Sequence, residues 1–463
     1  MNGDGLSDVI VGAQYNNSDG SFDNGAGYVV FGKANGNTVD LDNVALGAGG
    51  FKILGEESSD FAGYSVSDAG DVNGDGLSDL LVGAFWNNND GTFDNGAAYV
   101  VFGKPGGSTV DLDAIAAGNG FKILGESLSD LAAISVSAAG DVNGDGLADL
   151  IVGAPNNDSD GSTDNGAAYV VFGKMTGGAV DLDNVALGIG GFKILGESTS
   201  DFAGNSVSAA GDVNADGFAD LIVGAPRNDS DGSNDNGAAY VVFGKPNGGT
   251  VDLDQVASGV GGFKILGEKT AGDAGTSVSA AGDVNGDGIA DLFVGAPYDS
   301  SDGSANNGAG YVVFGKAGLG TVDLDNVAVG VGGFKILGEL DSDLAGYSVS
   351  SAGDVNGDGL TDLLIGAYRS AGPGQPMQGA AYLVLGKKDG ATVDLDTVAA
   401  GTGGFKIYGE RAYDTAGFSV SAAGDVNDDG LADLLVGAYG NDSDGSGENG
   451  AAYVIFGNAN WLI

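Results

Sequence analysis

An acidic nonapeptide recurs along the sequence at intervals of about 71 residues. Its prevailing form is DVNGDGLxD, which places oxygen-bearing side chains at positions 1, 3, 5 and 9. Six complete copies begin at Asp71, Asp141, Asp212, Asp283, Asp354 and Asp425, and a shortened copy without the first aspartate occupies Asn2–Asp8. Three carboxylates on so short a loop repel one another unless a cation lies between them. The spacing therefore predicts a cation-binding loop in every repeat.

Calcium is the cation that suits this donor set, because it takes about six to eight oxygen ligands from carboxylates, amides and backbone carbonyls. The glycine at position 6 allows the sharp turn that wraps such a loop around an ion. Magnesium fits less well, since it retains several waters. The loop is not an EF-hand, because Val82 stands where that motif needs a bidentate glutamate. The alternative interpretation is that the Asp and Asn side chains only form Asx turns.

The predicted calcium ligands are the side chains at positions 1, 3, 5 and 9 and the backbone carbonyl at position 7, for about six to seven ions in all. They are Asn2, Asp4, Leu6 and Asp8; Asp71, Asn73, Asp75, Leu77 and Asp79; Asp141, Asn143, Asp145, Leu147 and Asp149; Asp212, Asn214, Asp216, Phe218 and Asp220; Asp283, Asn285, Asp287, Ile289 and Asp291; Asp354, Asn356, Asp358, Leu360 and Asp362; and Asp425, Asn427, Asp429, Leu431 and Asp433. Ala215 and Asp428 replace only the position-4 glycine, so both loops keep their ligands. The shortened first copy leaves its affinity open.

A second acidic loop follows the nonapeptide in most repeats. Asp158, Asp160 and Asp164 reproduce the spacing of positions 3, 5 and 9, and related loops carry Asp229, Asp231 and Asp235, or Asp442, Asp444 and Glu448. The sixth repeat has lost these acids, in residues 368–379. An Asx-turn-rich hairpin is the favoured interpretation, and a weaker second calcium site is the alternative.

The segments between these loops predict an all-β fold. Each repeat holds four short runs of the forms SVSAAG, DLLVGA, AAYVVFG and FKIL, bounded by Gly, Asn and Asp as strands are. Four strands repeated radially describe the antiparallel blades of a seven-bladed β-propeller, with the nonapeptide joining first and second strands. The small SVSAAG run suits the crowded axis. A β-solenoid is the alternative, but its repeats are usually much shorter.

Counting these runs predicts one propeller domain over residues 1–463, with incomplete first and last blades. The second and third strand types occur seven times each and the other two types six times each. That total of 26 strands is two short of seven four-stranded blades. We therefore expect a longer native chain, in which about 20 to 30 upstream residues supply the first strand of blade one and the fourth strand of blade seven.

Composition excludes several classes of function. The 463 residues include no cysteine and no histidine, which removes thiol and imidazole catalysis and nearly all zinc sites. With a net charge of −47, the chain has too few basic residues to displace phosphate counterions, so no nucleic-acid partner is predicted. The sequence has no run of 18 or more apolar residues and predicts no membrane span.

The chain resembles the FG-GAP repeat family, the seven-bladed propeller of integrin alpha chains and its bacterial relatives. The resemblance rests on the acidic loops together with VGAP at 152–155, 223–226 and 294–297 and FAGYSV at 61–66. The third copy departs from it, with LAAISV at 131–136. The family implies an extracellular, secreted or cell-surface, calcium-stiffened module for adhesion or ligand binding. It does not supply the ligand.

The expected function is therefore binding of a protein or glycan by a monomeric propeller, without catalysis. Only three arginines occur, and the metal loops contain no Lys or Arg to hold a phosphate. A structural spacer of a large surface protein and a propeller hydrolase or lyase are the alternatives. The ligand is expected on the face opposite the nonapeptides, where aromatic and cationic residues follow the second strands: Phe85, Trp86, Tyr298, Tyr368, Arg369 and Tyr439. Alternatively, these aromatics only cap the blade ends.

Overall fold

Seven small sheets follow one another along the chain as the blades of a β-propeller. The structure is a computed structural model and describes residues 1–17, 21–88, 93–158, 161–229, 233–301, 303–315, 320–372, 375–442 and 449–461. The predicted fold class is confirmed. Neighbouring strands within a blade are antiparallel, and the first strands of successive blades contact one another around the axis.

The strands of each blade keep the order of the sequence from the axis outward. The first strands are β4 (Val66–Gly70), β9 (Ser135–Gly140), β14 (Ser206–Gly211), β19 (Ser277–Gly282), β24 (Ser348–Gly353) and β29 (Ser419–Gly424). The second strands are β1 (Val9–Ala13), β5 (Asp79–Ala84), β10 (Asp149–Ala154), β15 (Asp220–Ala225), β20 (Asp291–Ala296), β25 (Asp362–Ala367) and β30 (Asp433–Ala438).

The outer strands complete the blades. The third strands are β2 (Ala26–Val30), β6 (Ala97–Val101), β11 (Ala167–Val171), β16 (Ala238–Val242), β21 (Ala309–Val313), β26 (Ala380–Val384) and β31 (Ala451–Ile455). The fourth strands are β3 (Gly50–Leu54), β8 (Gly120–Leu124), β13 (Gly191–Leu195), β18 (Gly262–Leu266), β23 (Gly333–Leu337) and β28 (Gly404–Tyr408). Blade one is β1–β3, blade two begins at β4, and blade seven is β29–β31.

Each connection from a third to a fourth strand carries a short helix, and the connections of blades two to six also carry a short strand. The strands are β7 (Val110–Asp111), β12 (Val180–Asp181), β17 (Val251–Asp252), β22 (Val322–Asp323) and β27 (Val393–Asp394), each parallel to the fourth strand of the preceding blade. The helices are α1 (Leu41–Ala45), α2 (Leu182–Ala186), α3 (Leu253–Ala257), α4 (Leu324–Ala328) and α5 (Leu395–Ala399), with a 3₁₀ helix at Leu112–Ala117. An aspartate N-cap starts each of them, as at Asp181. Among the described residues, no helix is long and apolar enough to cross a membrane.

The hydrophobic core lies between blades, which explains why the second and third strands are apolar on both faces. One cluster packs Phe192 and Ile194 of blade three against Tyr240 and Val223 of blade four, and all four side chains are fully buried. Equivalent clusters fill the neighbouring interfaces.

Blades one and seven contact each other through the same backbone bonds that join other blades. The Ser7 N–H donates to the Asp425 carbonyl at 3.0 Å, as the Ala148 N–H donates to the Asp71 carbonyl at 3.1 Å. The Lys33 N–H donates to the Val426 carbonyl at 2.8 Å. These contacts close the ring.

Candidate metal centres

The nonapeptides connect first and second strands, as the sequence predicts. Each complete copy follows a glycine that ends the first strand at a register shift, and Gly70 there has φ +69°. This is a bulge that only glycine accommodates without strain. The ninth residue is already the first residue of the second strand, as at Asp79. All copies therefore emerge on one face of the ring.

The position-1 aspartate is surrounded by the backbone of its own loop. The Asp71 carboxylate accepts from the N–H groups of Gly74 at 2.7 Å, Asp75 at 3.0 Å and Gly76 at 2.9 Å. The same three bonds recur at Asp141, with the same distances. Three N–H donors fix the carboxylate in place at the centre of the loop.

The position-9 aspartate is buried and ties the loop to a neighbouring connection. Asp149 Oδ2 accepts from the Val142 N–H at 2.9 Å, and its Oδ1 accepts from the Gly173 N–H at 2.8 Å. Burial raises the pKa of Asp149 to about 7 and that of Asp79 to about 6. Below about pH 6 for Asp79 and about pH 7 for Asp149, the carboxyl group is mostly protonated in the metal-free protein. A cation that binds there would have to displace this proton.

Positions 3 and 5 form local turns. Asn143 Oδ1 accepts from the Asp145 N–H at 2.8 Å, and Asp145 Oδ1 accepts from the Leu147 N–H at 2.9 Å. Asn143 Nδ2 donates to Asp145 Oδ2 at 3.0 Å. The Asx turns that form the alternative interpretation are therefore present, and they leave other lone pairs of these exposed oxygens available.

The loops fit calcium in the kind and number of their oxygen donors. As the side chains stand, however, no group of three or more acidic residues within the described ranges is arranged to hold a metal ion. The carboxylates point toward backbone N–H groups, so calcium binding requires Asp75 and its equivalents to turn toward a shared centre. The ligand set named from the sequence stays a prediction.

The altered copies keep the loop geometry. Ala215 and Asp428 occupy position 4 with φ +60° and +62°, where Gly74 has φ +75°. The Asp216 and Gly217 N–H groups still donate to Asp212, at 3.1 and 2.9 Å. A left-handed residue other than glycine costs about 1 kcal/mol, and both loops tolerate this cost.

The shortened first copy keeps the turns at its remaining positions. The Asp4 N–H donates to Asn2 Oδ1 at 2.8 Å and the Leu6 N–H to Asp4 Oδ1 at 3.0 Å. Asp8 Oδ1 accepts from the Gly32 N–H at 2.9 Å. The copy therefore lacks only the position-1 carboxylate.

The second acidic loops form turns where they are described. Asp158 Oδ1 accepts from the Asp164 N–H at 2.8 Å, and Asp229 Oδ1 accepts from the Asp235 N–H at 2.6 Å. The other proposed members, Asp160, Asp231, Asp444 and Glu448, lie outside the described residues. The hydrogen bonds match the hairpin interpretation and leave the second calcium site a hypothesis.

Comparison with known proteins places the repeats in a family. The FG-GAP repeat model matches five segments, residues 132–171, 203–242, 274–313, 345–384 and 416–455. Each segment contains a first strand, an acidic loop, a second strand and a third strand. The chain is an FG-GAP repeat protein.

Relatives of the FG-GAP propeller include integrin alpha chains and a phospholipase D. The chain is 31% identical over 240 residues to integrin alpha pat-2 of Caenorhabditis elegans, covering 50% of this chain and 17% of that protein. It is 32% identical over 212 residues to phosphatidylinositol-glycan-specific phospholipase D of Bos taurus, covering 45% and 23%. It is 29% identical over 248 residues to integrin alpha-V of Gallus gallus, covering 52% and 20%. The match thus spans about a fifth of the length of these relatives.

A buried polar network joins neighbouring blades of the FG-GAP propeller. Lys264 of blade four forms a salt bridge with Glu197, which follows the fourth strand of blade three. The hydroxyl of Tyr240 donates to the same carboxylate. Asn228 Nδ2 donates to Asp201 at 2.6 Å and to the Tyr240 hydroxyl at 3.2 Å. The network holds two carboxylates and one ammonium group inside the interface.

The network recurs around the ring. In it, the lysine at the centre of an FKIL strand forms a salt bridge across the interface between two blades. Salt bridges of the same kind involve Lys122, Lys193, Lys335 and Lys406. Burial lowers the pKa of Lys264 and raises that of Asp201 to about 6. Sequence analysis missed this cluster. The available signal was a glutamate that precedes each such lysine by 66 or 67 residues, as Glu56 precedes Lys122 and Glu197 precedes Lys264.

One interface of the FG-GAP propeller exchanges two members of this network. Gly272 stands where Asp201 stands in the preceding interface, and Asp299 stands where Asn228 stands. Lys335 lies 3.2 Å from Asp299 Oδ2 and 2.6 Å from Glu268 Oε2. The buried carboxylate has therefore moved across the interface while the number of carboxylates is unchanged.

We expect Asp299→Asn to destabilise the protein by about 1 to 3 kcal/mol, because it removes one of the two carboxylates around buried Lys335. Gly272→Asp in the same chain should recover most of that loss by restoring the arrangement of the other interfaces. Urea unfolding of the two single variants and the double variant measures the coupling between the sites. Additive effects would contradict the exchange.

The face opposite the nonapeptides carries two aromatic groups. The ring of Phe61 lies 5.0 Å from Trp86 and 5.9 Å from Phe85. In the second group, the ring of Phe418 lies 4.6 Å from Tyr439 and 5.5 Å from Tyr368. Trp86 is 41% exposed and Tyr439 53% exposed. Four of the aromatic residues named from the sequence therefore contact neighbouring rings: Phe85, Trp86, Tyr368 and Tyr439. Trp86, Tyr298 and Tyr439 also present exposed ring surface.

Proposed function

We propose that the chain is a calcium-binding, extracellular ligand-binding propeller. The observation that carries the proposal is the acidic loop itself, which recurs with the same hydrogen bonds on one face of a closed ring. The FG-GAP repeats and the likeness to integrin alpha chains support a binding role outside the cell. In each loop the side chains at positions 1, 3, 5 and 9 and the carbonyl at position 7 would hold the ion.

Calcium would act as a cross-link in each blade. A bound calcium ion would offset two of the three negative charges at positions 1, 5 and 9 and would join the loop to the start of the second strand. Because position 9 also bonds to the neighbouring connection, as Asp149 does to Gly173, the ion would stiffen the whole face. The opposite face is then held rigid for ligand contact, which lowers the ordering cost of binding.

Asp145→Ala tests one centre at a time. The variant removes an exposed carboxylate from the loop of blade three and leaves the other loops intact. We expect the calcium stoichiometry in isothermal titration to fall by about one ion. Asp183→Ala, an acidic residue of helix α2 in the same blade, is the control and should leave the count unchanged. If Asp145→Ala binds as many calcium ions as the unchanged protein, Asp145 only stabilises the turn and is not a calcium ligand.

Binding to a protein or glycan is proposed for the aromatic face. An array of glycans and surface proteins probed with calcium, and again with chelator, should reveal a calcium-dependent ligand. Trp86→Ala and Tyr439→Ala should weaken its binding by about tenfold, because aromatic residues often contribute a large part of the binding free energy at an interface. Leu46→Ala is a matched control on the nonapeptide face, where Leu46 is 86% exposed. Equal losses from all three variants would argue against this face.

Catalysis is the second candidate function, because several relatives carry the name of a phospholipase D. We propose that this chain does not share that activity. The sequence has no histidine, and its metal loops have no Lys or Arg with which to hold a phosphate group. Hydrolysis of phosphate esters by the purified, calcium-loaded chain would overturn this.

A further inference from the structure

Blades one and two carry exposed aromatic side chains in loops where the next three blades carry none. In the loops between second and third strands, Phe22 is 70% exposed and Phe93 is 73% exposed. The residues at this position in the next three repeats are Thr163, Asn234 and Ala305. The two phenylalanines are therefore a feature of blades one and two and not of the repeat.

A second pair of rings occupies equivalent positions just after the second strands of the same two blades. Tyr15 follows β1 and is 64% exposed, and Trp86 follows β5. Phe61 contacts both, with ring centroids 5.6 Å from Tyr15 and 5.0 Å from Trp86. The rings of Tyr15 and Trp86 are nearly perpendicular to Phe61, at 89° and 83°. Phe61 therefore supports the two outer rings, and part of each outer ring stays open to solvent.

Hydrogen bonds fix both phenylalanine loops against the connections that lead to the next first strands. The Phe22 N–H donates to Ser58 Oγ at 3.2 Å, and the Ser59 N–H donates to the Phe22 carbonyl at 2.7 Å. The Ser129 N–H donates to the Phe93 carbonyl at 3.0 Å. The exposed rings therefore extend from an anchored backbone, which lowers the ordering cost of binding a ligand.

The loops that carry these rings contain acidic residues and no basic ones. Residues 14–25, 55–65 and 85–96, which connect strands on this face of blades one and two, contain no Lys or Arg. An anionic ligand would therefore meet repulsion here. The side chains of Asp23 and Asp94, each next to one of the phenylalanines, are partly exposed. Their carboxylates can accept hydrogen bonds from hydroxyl groups.

The aromatic arrangement repeats from one blade to the next. Tyr15 and Phe22 of blade one correspond to Trp86 and Phe93 of blade two. A ligand unit that contacts one pair meets the same chemistry again on the next blade, which suits a linear polymer of like units better than the irregular surface of a folded protein. In a neutral polysaccharide, each sugar ring offers an apolar C–H face to an aromatic ring and hydroxyl donors to nearby carboxylates.

We propose that the aromatic patch of blades one and two, formed by Tyr15, Phe22, Phe61, Trp86 and Phe93, binds a linear, neutral polysaccharide. The inference rests on the proposed ligand-binding role of this face and adds the class of ligand and the residues that contact it. Sugar rings stack on the exposed aromatic rings of the two blades, and sugar hydroxyls donate to the carboxylates beside them. Because the ligand carries no charge, its binding depends little on ionic strength.

Tryptophan fluorescence reports on this patch directly. The chain has two tryptophans, and Trp461 packs against Phe405 of blade six, so Trp461→Phe leaves Trp86 as the single indole. The probes, in buffer with calcium, are a neutral β-glucan, a mannan and a galactan, with alginate as an anionic polysaccharide and oligolysine as a cationic peptide. At least one neutral polysaccharide should change the Trp86 emission to saturation, with the same affinity at low and high salt. Alginate and oligolysine should leave the emission unchanged.

A pair of matched variants locates the binding. Phe93→Ala removes an exposed ring and should weaken the polysaccharide affinity about tenfold. Thr163→Ala, at the same position of blade three, is the control and should leave the affinity unchanged. The proposal is overturned if none of the three neutral polysaccharides binds, if alginate or oligolysine binds in their place, or if Phe93→Ala has no effect.

The same variants separate this proposal from the more general one. A ligand whose binding is weakened by Tyr439→Ala and not by Phe93→Ala would keep the ligand-binding role of the face and overturn the polysaccharide patch alone. A face that binds neither the polysaccharides nor any member of the array of glycans and surface proteins would contradict both.

Discussion

Removing calcium is expected to lower the melting temperature of the protein by on the order of 10 °C or more. Extracellular calcium modules bind with dissociation constants of about 10⁻⁴ to 10⁻³ M. At about 10 mM calcium, each such site stabilises the folded chain by about 1.4 to 2.7 kcal/mol by mass action. Six complete loops together then contribute on the order of 10 kcal/mol. For a chain of this size, 1 kcal/mol corresponds to a shift of about 1 to 2 °C.

Differential scanning calorimetry in chelator, in calcium and in magnesium measures this effect. Magnesium at the same concentration should give a much smaller shift, because it retains its waters and binds few carboxylates. The shift should grow with calcium concentration until the sites are full. A melting temperature that stays the same after exhaustive chelation would mean that Asx turns alone hold the loops.

In chelator, the free energy of unfolding is expected to fall as the pH rises from about 4 to about 7. Burial raises the pKa of Asp60, Asp201 and Asp343 to about 6 in the folded protein. Asp60 Oδ1 and Asp343 Oδ2 are buried without a hydrogen-bond partner among the described residues. Between about pH 4 and about pH 6 the folded protein therefore holds protons that the unfolded chain has released, so its stability falls over this interval and levels off above it.

The groups around these aspartates set the size of the effect. Glu197 faces Asp201 and raises its pKa further, while Asn228 and Lys264 lower it. After allowance for solvent screening, ionising one such aspartate lowers the free energy of unfolding by about 1 to 2 kcal/mol. In urea titrations across the pH range, these three sites together should therefore account for a loss of about 3 to 6 kcal/mol.

A triple variant separates this effect from the general repulsion of an acidic chain. Asp60→Asn, Asp201→Asn and Asp343→Asn in one protein should reduce the pH dependence and leave stability near pH 4 little changed. A residual slope should remain, because burial also raises the pKa of Asp79 and Asp149. Glu57→Gln changes an exposed neighbour of Asp60 and should not alter the slope. If the triple variant keeps the full slope, the buried network is not its source.

The blade architecture could be predicted from sequence because each strand type has a distinct composition. The small SVSAAG run is at the axis, and the DLLVGA and AAYVVFG runs are buried on both faces, as their lack of polar alternation indicated. The aspartate in VDLD even marks the short helices, where Asp181 caps α2. These features are local, so the sequence of a single repeat is enough to predict the order of strands in a blade.

The interblade network could not be predicted in the same way, because its members come from different repeats. Lys264 looks like a surface residue beside Phe263 and Ile265, and only its distant partner Glu197 explains its burial. The exchange of Gly272 and Asp299 is likewise visible only when both sides of the interface are known. Contacts between repeats depend on how the ring closes, which spacing within one repeat does not specify.

The predicted calcium loops lie between these two cases. The sequence places the proposed donors in one loop, where the Asp145 N–H donates to the Asp141 carboxylate at 3.0 Å, and their role as calcium ligands stays a prediction. Their final orientation depends on the competition between an ion and the loop's own N–H groups. Spacing alone does not decide that competition.

Crystals of the protein grown with calcium test the central claim most directly. Anomalous difference maps collected at long wavelength should show one peak within each of the six complete loops, about 2.3 to 2.6 Å from the side-chain oxygens of positions 1, 3, 5 and 9. The shortened loop at Asn2–Asp8 should show a weaker peak. Maps without peaks at these loops, in crystals that contain saturating calcium, would contradict the account.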